Sequence, residues 1–167
     1  MFERILVGFD GSVHSRRAVQ IAAEMAGRFG SILTIAMVRP PTRGEDYARL
    51  EALVPLSEDG RTLTAMLDEL REQAIARGVQ VVEPVTLRGE VLESMLDYLG
   101  RNPQDLVVVG SRGLTRGRRL LLGSVSTGLV NSAHCPVLVV RPGPAHAGKG
   151  AGHSETPPAK SATGGLG

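Results

Sequence analysis

The sequence predicts an α/β fold in which a parallel sheet is covered by helices on both faces. Three observations carry this. Five short apolar runs alternate with stretches of helical periodicity, the pattern of repeated βαβ units. Two of the runs, Leu106–Val109 and Val137–Val140, are apolar without interruption, as in strands buried on both sides. Glycine or proline stands where most periodic segments stop.

Each element follows in order. Ile5-Leu6-Val7-Gly8-Phe9 reads as the first strand. Ala18, Ile21, Ala22, Met25, Ala26 and Phe29 recur at helical spacing, and Gly30 stops that helix. The second strand, Ile32 to Val38, ends at Arg39-Pro40-Pro41, where two prolines forbid continuation. The polar stretch from Pro41 to Gly60 reads as a long surface connection. Leu63, Met66, Leu67, Leu70 and Ala74 mark a second helix that stops near Gly78. Val79 to Leu87 is the third strand, and Pro84 places it at an edge or a bulge. Leu92, Met95, Leu96 and Leu99 face one way on a third helix closed by Gly100. After the Leu106–Val109 strand, Ser124 to Ser132 reads as the last helix, with Ser124 as its N-cap. Gly143 to Gly167 is rich in Gly, Ala, Pro, Ser and Thr, too poor in apolar residues to offset its ordering entropy. The chain therefore divides into one domain, residues 1–142, and a disordered tail, residues 143–167. His153, Lys149 and Lys160 of that tail are read as solvated.

Composition narrows the function. The 167 residues are 42% hydrophobic, enough for a self-sufficient core. With three Phe, two Tyr and no Trp, the chain lacks a platform for stacking single-stranded nucleic acid. A formal charge of +2 is too small for an extended duplex footprint. A lone Cys135 excludes an internal disulfide and a thiolate metal cluster, and reads as a buried, inert thiol. There is no secretory h-region and no apolar stretch near the roughly twenty residues that span a bilayer. A cytoplasmic protein with neither nucleic-acid nor membrane partner is expected.

The strongest chemical signal is Gly110-Ser111-Arg112-Gly113, followed after nine residues by Gly123-Ser124. Gly110 and Gly113 follow a core strand, where glycine lets the backbone approach an anion and adopt positive φ. Gly123-Ser124 opens a helix whose free amides and positive dipole end favour a phosphate, and the Ser124 hydroxyl adds a donor. In open α/β sheets, ligands sit outside the carboxyl ends of the strands at a switch point, so Asp10-Gly11-Ser12 after the first strand is the second place to look. No Gly-x-x-x-x-Gly-Lys-Ser/Thr occurs, so no P-loop lysine reaches a nucleotide. No triple-glycine dinucleotide fingerprint follows the first strand either.

The pattern Gly-x2-Gly-x9-Gly-Ser resembles the ATP-binding branch of the universal stress protein family. Ile-Leu-Val-Gly-Phe-Asp-Gly-Ser at residues 5–12 and Pro-Val-Leu-Val-Val-Arg-Pro at 136–142 carry the same resemblance, which covers Phe2 to Pro142. The resemblance implies an open five-stranded parallel sheet of order 3-2-1-4-5, Rossmann-like and of the adenine nucleotide alpha hydrolase-like kind. It implies a homodimer, one ATP per subunit and a role in stress response or regulation. Carried over by position, Asp10 contacts the adenosine end, with helix capping as its other reading. Gly8 lies beside it, and Met37 and Val38 pack near the adenine. Val109 and Gly110 line the ribose. Gly113, Gly123, Ser124 and Val125 surround the phosphates, assisted by Ser126. Three positions depart from many relatives: Ala36 stands for His, Arg39 for an acidic residue, and Gly8 where Pro or a small residue is common.

Arg112, Arg116, Arg118 and Arg119 crowd the loop between the glycines, either pairing with a triphosphate or remaining solvated. Magnesium would be bridged by phosphate oxygens and water. His14, His134, His146 and His153 lack ligand spacing and read as surface residues. Pro136 to Arg141 forms an apolar edge strand, and pairing with a second copy would cover it. The expected activity is ATP binding with at most slow hydrolysis. The alternatives are an ATPase or nucleotidyl-transferring enzyme of the same fold, for which Asp10 is the sole candidate base, and a cyclic-AMP-binding regulator.

Overall fold

Backbone pairing builds the sheet from β1 (Arg4–Gly8), β2 (Ile32–Arg39), β3 (Val81–Arg88), β4 (Leu106–Gly110) and β5 (Val137–Val140). The structure, a computed structural model, describes residues 2–39, 63–113 and 122–141. The expected surface connection, Arg116, Arg118, Arg119 and the tail lie outside the described residues. The strands are all parallel, in the order β3-β2-β1-β4-β5. Between them run α1 (Val13–Phe29), α2 (Leu63–Ala76), α3 (Val91–Arg101) and α4 (Ser124–Ser132). This is the open α/β sheet that the apolar runs predict, in the expected order.

Each strand contributes alternate residues to opposite cores, because successive side chains leave opposite faces. Ile5, Val7, Leu33, Ile35, Leu106 and Val108 pack beneath α1 and α2, against Ala18, Ala22, Met66 and Leu70. Leu6, Ala36, Val107 and Val109 pack on the other face, against Met95 and Leu99 of α3 and Leu129 of α4. Ile5, Leu6, Leu33, Ile35 and Leu129 are fully buried, each stabilising the fold by roughly 1.5–3 kcal/mol before entropy is counted. The alanine stripe of α1 lets that helix lie close to the sheet.

Gly30 ends α1 in the left-handed region, at φ 69°, and its amide donates to the Ala26 carbonyl. Gly100, expected to close α3, instead lies inside its last turn; the helix runs to Arg101 and is capped at Asn102. One exposed glycine costs a helix only about 1 kcal/mol, which packing of Met95 and Leu99 outweighs. The third strand starts at Val81, two residues later than expected, because the Val79 amide donates to Ala74 and completes the end of α2. β3 is an edge strand, which accommodates Pro84. β5 is the opposite edge, and Val137, Leu138 and Val139 are only half-buried. Continuous apolar sequence meant two-sided burial for β4 but not for β5, because β5 has a strand neighbour on one side alone.

Asp105 joins the N-terminal ends of β1 and β4. Its Oδ2 accepts from the amides of Glu3 at 2.7 Å and Arg4 at 2.9 Å, while its own amide donates to the Arg4 carbonyl. The Arg4 and then the Glu3 hydrogen bond hold the carboxyl below its usual value of 3.8. A depressed folded pKa stabilises the fold above the unfolded value and loses that contribution as pH falls through the folded one. Asp105→Asn is expected to lower Tm at pH 7, with the gap to wild type closing as pH drops below 3.8. Thermal melts of both proteins from pH 7 to pH 2.5 check this; a gap constant across that range would refute it.

Candidate functional site

The order of the strands makes one crevice. β1 and β4 are neighbours, yet α1 after β1 and α4 after β4 cover opposite faces of the sheet. The connections leaving their carboxyl ends therefore part, which is where open α/β sheets bind ligands. On the β2 side the wall is higher, since Gly8 pairs with Ala36 and Met37 to Arg39 continue past it.

The β1 wall is a turn built from its own sequence. Phe9 is buried and its amide donates to the Ala36 carbonyl at 2.8 Å. The exposed Asp10 then accepts the Ser12 amide on Oδ1 at 3.0 Å, a side-chain turn of the kind Asp favours. Gly11 lies at φ 85°, where a side chain is strained. Ser12 caps α1, its hydroxyl oxygen accepting the Ser15 amide at 3.1 Å. The capping role considered for Asp10 thus falls to Ser12, leaving Asp10 to order the turn.

The β4 wall is pinned at Ser111. Its amide donates to the Val140 carbonyl at 2.7 Å, and its carbonyl accepts the Gly123 amide at 2.8 Å. Ser111 and Gly123 are thus held together. Gly123, not Ser124, is the N-cap of α4 and brings no side-chain cap, so the expected capping role of Ser124 moves back by one residue. Ser124 becomes the first helical residue with an exposed side chain. The first turn of α4 also carries no acidic residue, so no carboxylate of its own opposes the positive end of the helix dipole.

The glycines serve close approach rather than unusual φ. Positive φ occurs among the described residues at Gly11, Gly30, Gly78 and Gly89, and not at Gly110, Gly113 or Gly123. A Cβ on Gly110 would stand 2.8 Å from both C and Cβ of His14. Gly110 is required because α1 begins directly against it. A Cβ on Gly113 would stand 2.8 Å from Asp10 Oδ2, so the two walls meet there. At Gly123 a Cβ would find only ordinary contacts of 3.6 Å and beyond.

Asp10 and Gly113 lie together across the gap between β1 and β4, Gly110 ends β4 against the start of α1, and Gly123 and Ser124 open α4 beside Ser111. Arg112 is exposed at its edge. Gly8 sits at the base, a Cβ there lying 3.3 Å from Met95 and from Val109. Val109 is buried in the α3/α4 core, and Val125 packs on that core half-buried. Met37 and Val38 leave β2 on opposite faces, Met37 into the α1/α2 core and Val38 against the other. Ser126 is buried, and its hydroxyl donates to the Gly123 carbonyl at 3.0 Å, so it braces the helix start. Sequence reasoning missed His14, whose Nδ1 shares a 2.9 Å hydrogen bond with Ser111 Oγ. Its position two residues past the Ser12 cap was the available signal. Half-buried Cys135 packs beside the α3/α4 core, and burial pushes its thiol up. Among the described residues, three or more His, Cys, Asp and Glu nowhere gather as metal ligands, and no helix is long and apolar enough to cross a membrane.

An open parallel α/β sheet with a glycine-walled crevice at its switch point defines the class. The chain belongs to the universal stress protein family, whose model matches residues 1–141. It is 34% identical over 143 residues to a universal stress protein of Thermus aquaticus, covering 84% of this chain and 100% of that one. It is 31% identical over 156 residues to the universal stress protein YxiE of Bacillus subtilis, covering 84% of this chain and 100% of the relative. Among solved structures it is similar to a universal stress protein in complex with cAMP, at 29% identity and TM-score 0.68 over 83% of this chain and 97% of that one. The fold is shared as well by UspA of Lactobacillus plantarum, at 24% identity and TM-score 0.68 over 84% and 98% of the two chains.

The contrast between two glycines is measurable. Gly110→Ala must displace the start of α1 and is expected to cost about 1–3 kcal/mol. Gly123→Ala, which fits its surroundings, is expected to cost less than about 1 kcal/mol as a change of N-cap. Urea denaturation of both variants checks the order; equal losses would contradict the steric account.

Proposed function

We propose that this protein binds an adenine nucleotide in the crevice between β1 and β4 and acts in stress response or regulation through its bound state. The observation that carries the reading is the meeting of the two walls, Asp10 Oδ2 against Gly113, beneath a helix start capped by glycine. The anionic end of a nucleotide suits the first-turn amides of α4 and the Ser124 hydroxyl. Asp10, an acceptor on the opposite wall, suits a hydroxyl of the sugar. Gly8, Met37, Val38, Val109 and Gly110 form the base and β2 side of the crevice, where the nucleoside would lie. Val125 and Ser126 would serve the phosphate end by holding the first turn of α4.

ATP is the ligand favoured by the family resemblance that the glycine spacing carries. Arg112 at the rim would add charge to a triphosphate, and magnesium would be held by phosphate oxygens and water, since Asp10 is the one carboxylate at the crevice among the described residues. Cyclic AMP is the second reading, favoured by the cAMP complex of a 29% identical relative. Hydrolysis would be slow at most, because Asp10 Oδ1 is engaged by the Ser12 amide and the Nδ1 of His14 by Ser111 Oγ. Residues 1–142 would form the binding unit. The half-buried edge β5 would pair with a second copy of the chain, covering Val137, Leu138 and Val139.

Mass spectrometry of ligand released from freshly purified protein is expected to find an adenine nucleotide. Titration calorimetry with ATP, AMP and cyclic AMP then ranks them. Gly113→Val, which drives the Asp10 carboxylate from its place, is expected to weaken binding at least about tenfold with Tm held within a few degrees, since Gly113 is exposed. A larger residue at Gly123 is expected to weaken binding as well. Unchanged affinity in both variants would refute the crevice assignment.

A further inference from the structure

We infer that His14 is a positioning residue for the proposed nucleotide site, acting through Ser111 without touching the nucleotide. This rests on the nucleotide-binding reading above.

The two walls belong to distant chain segments, His14 and Ser111 being 97 residues apart, and local sequence does nothing to set their separation. His14 sets it. It lies in the first turn of α1, one turn after the Asp10 wall, and its ring Nδ1 shares a 2.9 Å hydrogen bond with Ser111 Oγ. Its backbone and Cβ also press on Gly110, leaving no room there for a side chain. Ser111 is 2% exposed, so in the folded chain its hydroxyl is paired with the imidazole and sheltered from bulk water. The carbonyl of the same residue holds the Gly123 amide at 2.8 Å and lies 3.5 Å from the Ser126 hydroxyl. A shift of Ser111 is therefore passed directly to the start of α4, where the phosphate would sit. The chain of contacts is Asp10 turn, His14, Ser111, Gly123, with each link between groups that have few degrees of freedom. Ligand affinity in such a site depends on the walls being held at the right spacing before binding.

A role in positioning differs from a role in stability by its pattern. His14→Ala and Ser111→Ala each remove one end of the same bond. Each is expected to raise Kd about two- to tenfold, the effect of one net hydrogen bond. The double variant is expected to bind no more weakly than the weaker single one, since the shared interaction is already lost. His14→Asn, whose side-chain amide reaches the place of Nδ1, is expected to bind within about twofold of wild type.

Titration calorimetry on the full chain, with ATP and with cyclic AMP, measures these four variants and wild type well below their melting temperatures. Kd values that multiply in the double variant, or an Asn variant as weak as the Ala one, would overturn the inference. So would wild-type affinity in both single variants. If His14→Ala does not fold, Ser111→Ala and His14→Asn decide alone: weakened binding in the first and retained binding in the second is the expected pair. Wild type that binds neither nucleotide removes the proposed function and this inference together. Wild type that binds, loses binding on Gly113→Val and ignores His14→Ala removes only the inference.

Discussion

Ser111 gathers hydrogen bonds from three directions, and the upper half of the molecule is organised around them. Its amide ties β4 to the end of β5, its hydroxyl ties β4 to the first turn of α1, and its carbonyl takes the amide that opens α4. A buried polar residue is costly unless its groups are paired. Here that requirement forces an edge strand, a helix on one face and a helix on the other to meet at one residue. Gly110 immediately before it makes the meeting sterically feasible, since anything larger would hold α1 away from the sheet.

The two cores explain why the crevice opens where it does. Strand alternation sends odd-numbered residues of β1 to α1 and α2 and even-numbered ones to α3 and α4. Helices connected to neighbouring strands by right-handed crossovers fall on opposite faces when the chain turns back across β1. The gap between the connections is therefore a consequence of topology, and the family membership of the chain places it among proteins with this same sheet. What this sequence adds is local: a polar, self-bonded turn at Asp10 on one side and a helix start without acidic or capping side chains on the other.

These two walls differ in electrostatic character, and the difference gives the crevice a direction. The Asp10 side is an acceptor held in place by its own turn. The α4 side presents amides and a hydroxyl, all of them donors toward an anion. Under the proposed function, a ligand with a phosphate at one end and sugar hydroxyls at the other would match both, whereas a dianion at each end would meet Asp10 unfavourably.

Element type and order were legible in the residues themselves. Apolar runs of strand length, helical periodicity and Gly30 as a stop follow from side-chain burial and backbone sterics, which act within a few residues. The strand Val137–Val140 could be read to the residue for that reason, and the helix Ser124–Ser132 to within one residue at its cap. The sheet order was read through family resemblance and was met by the structure. Only tertiary structure decided why Gly110 must be glycine, that Met37 and Val38 part to opposite cores, and that Ser126 faces inward. It alone brought His14 against Ser111. Each of these depends on which surface lies across the gap, and a hydrogen bond between residues 14 and 111 leaves no periodic trace in a sequence.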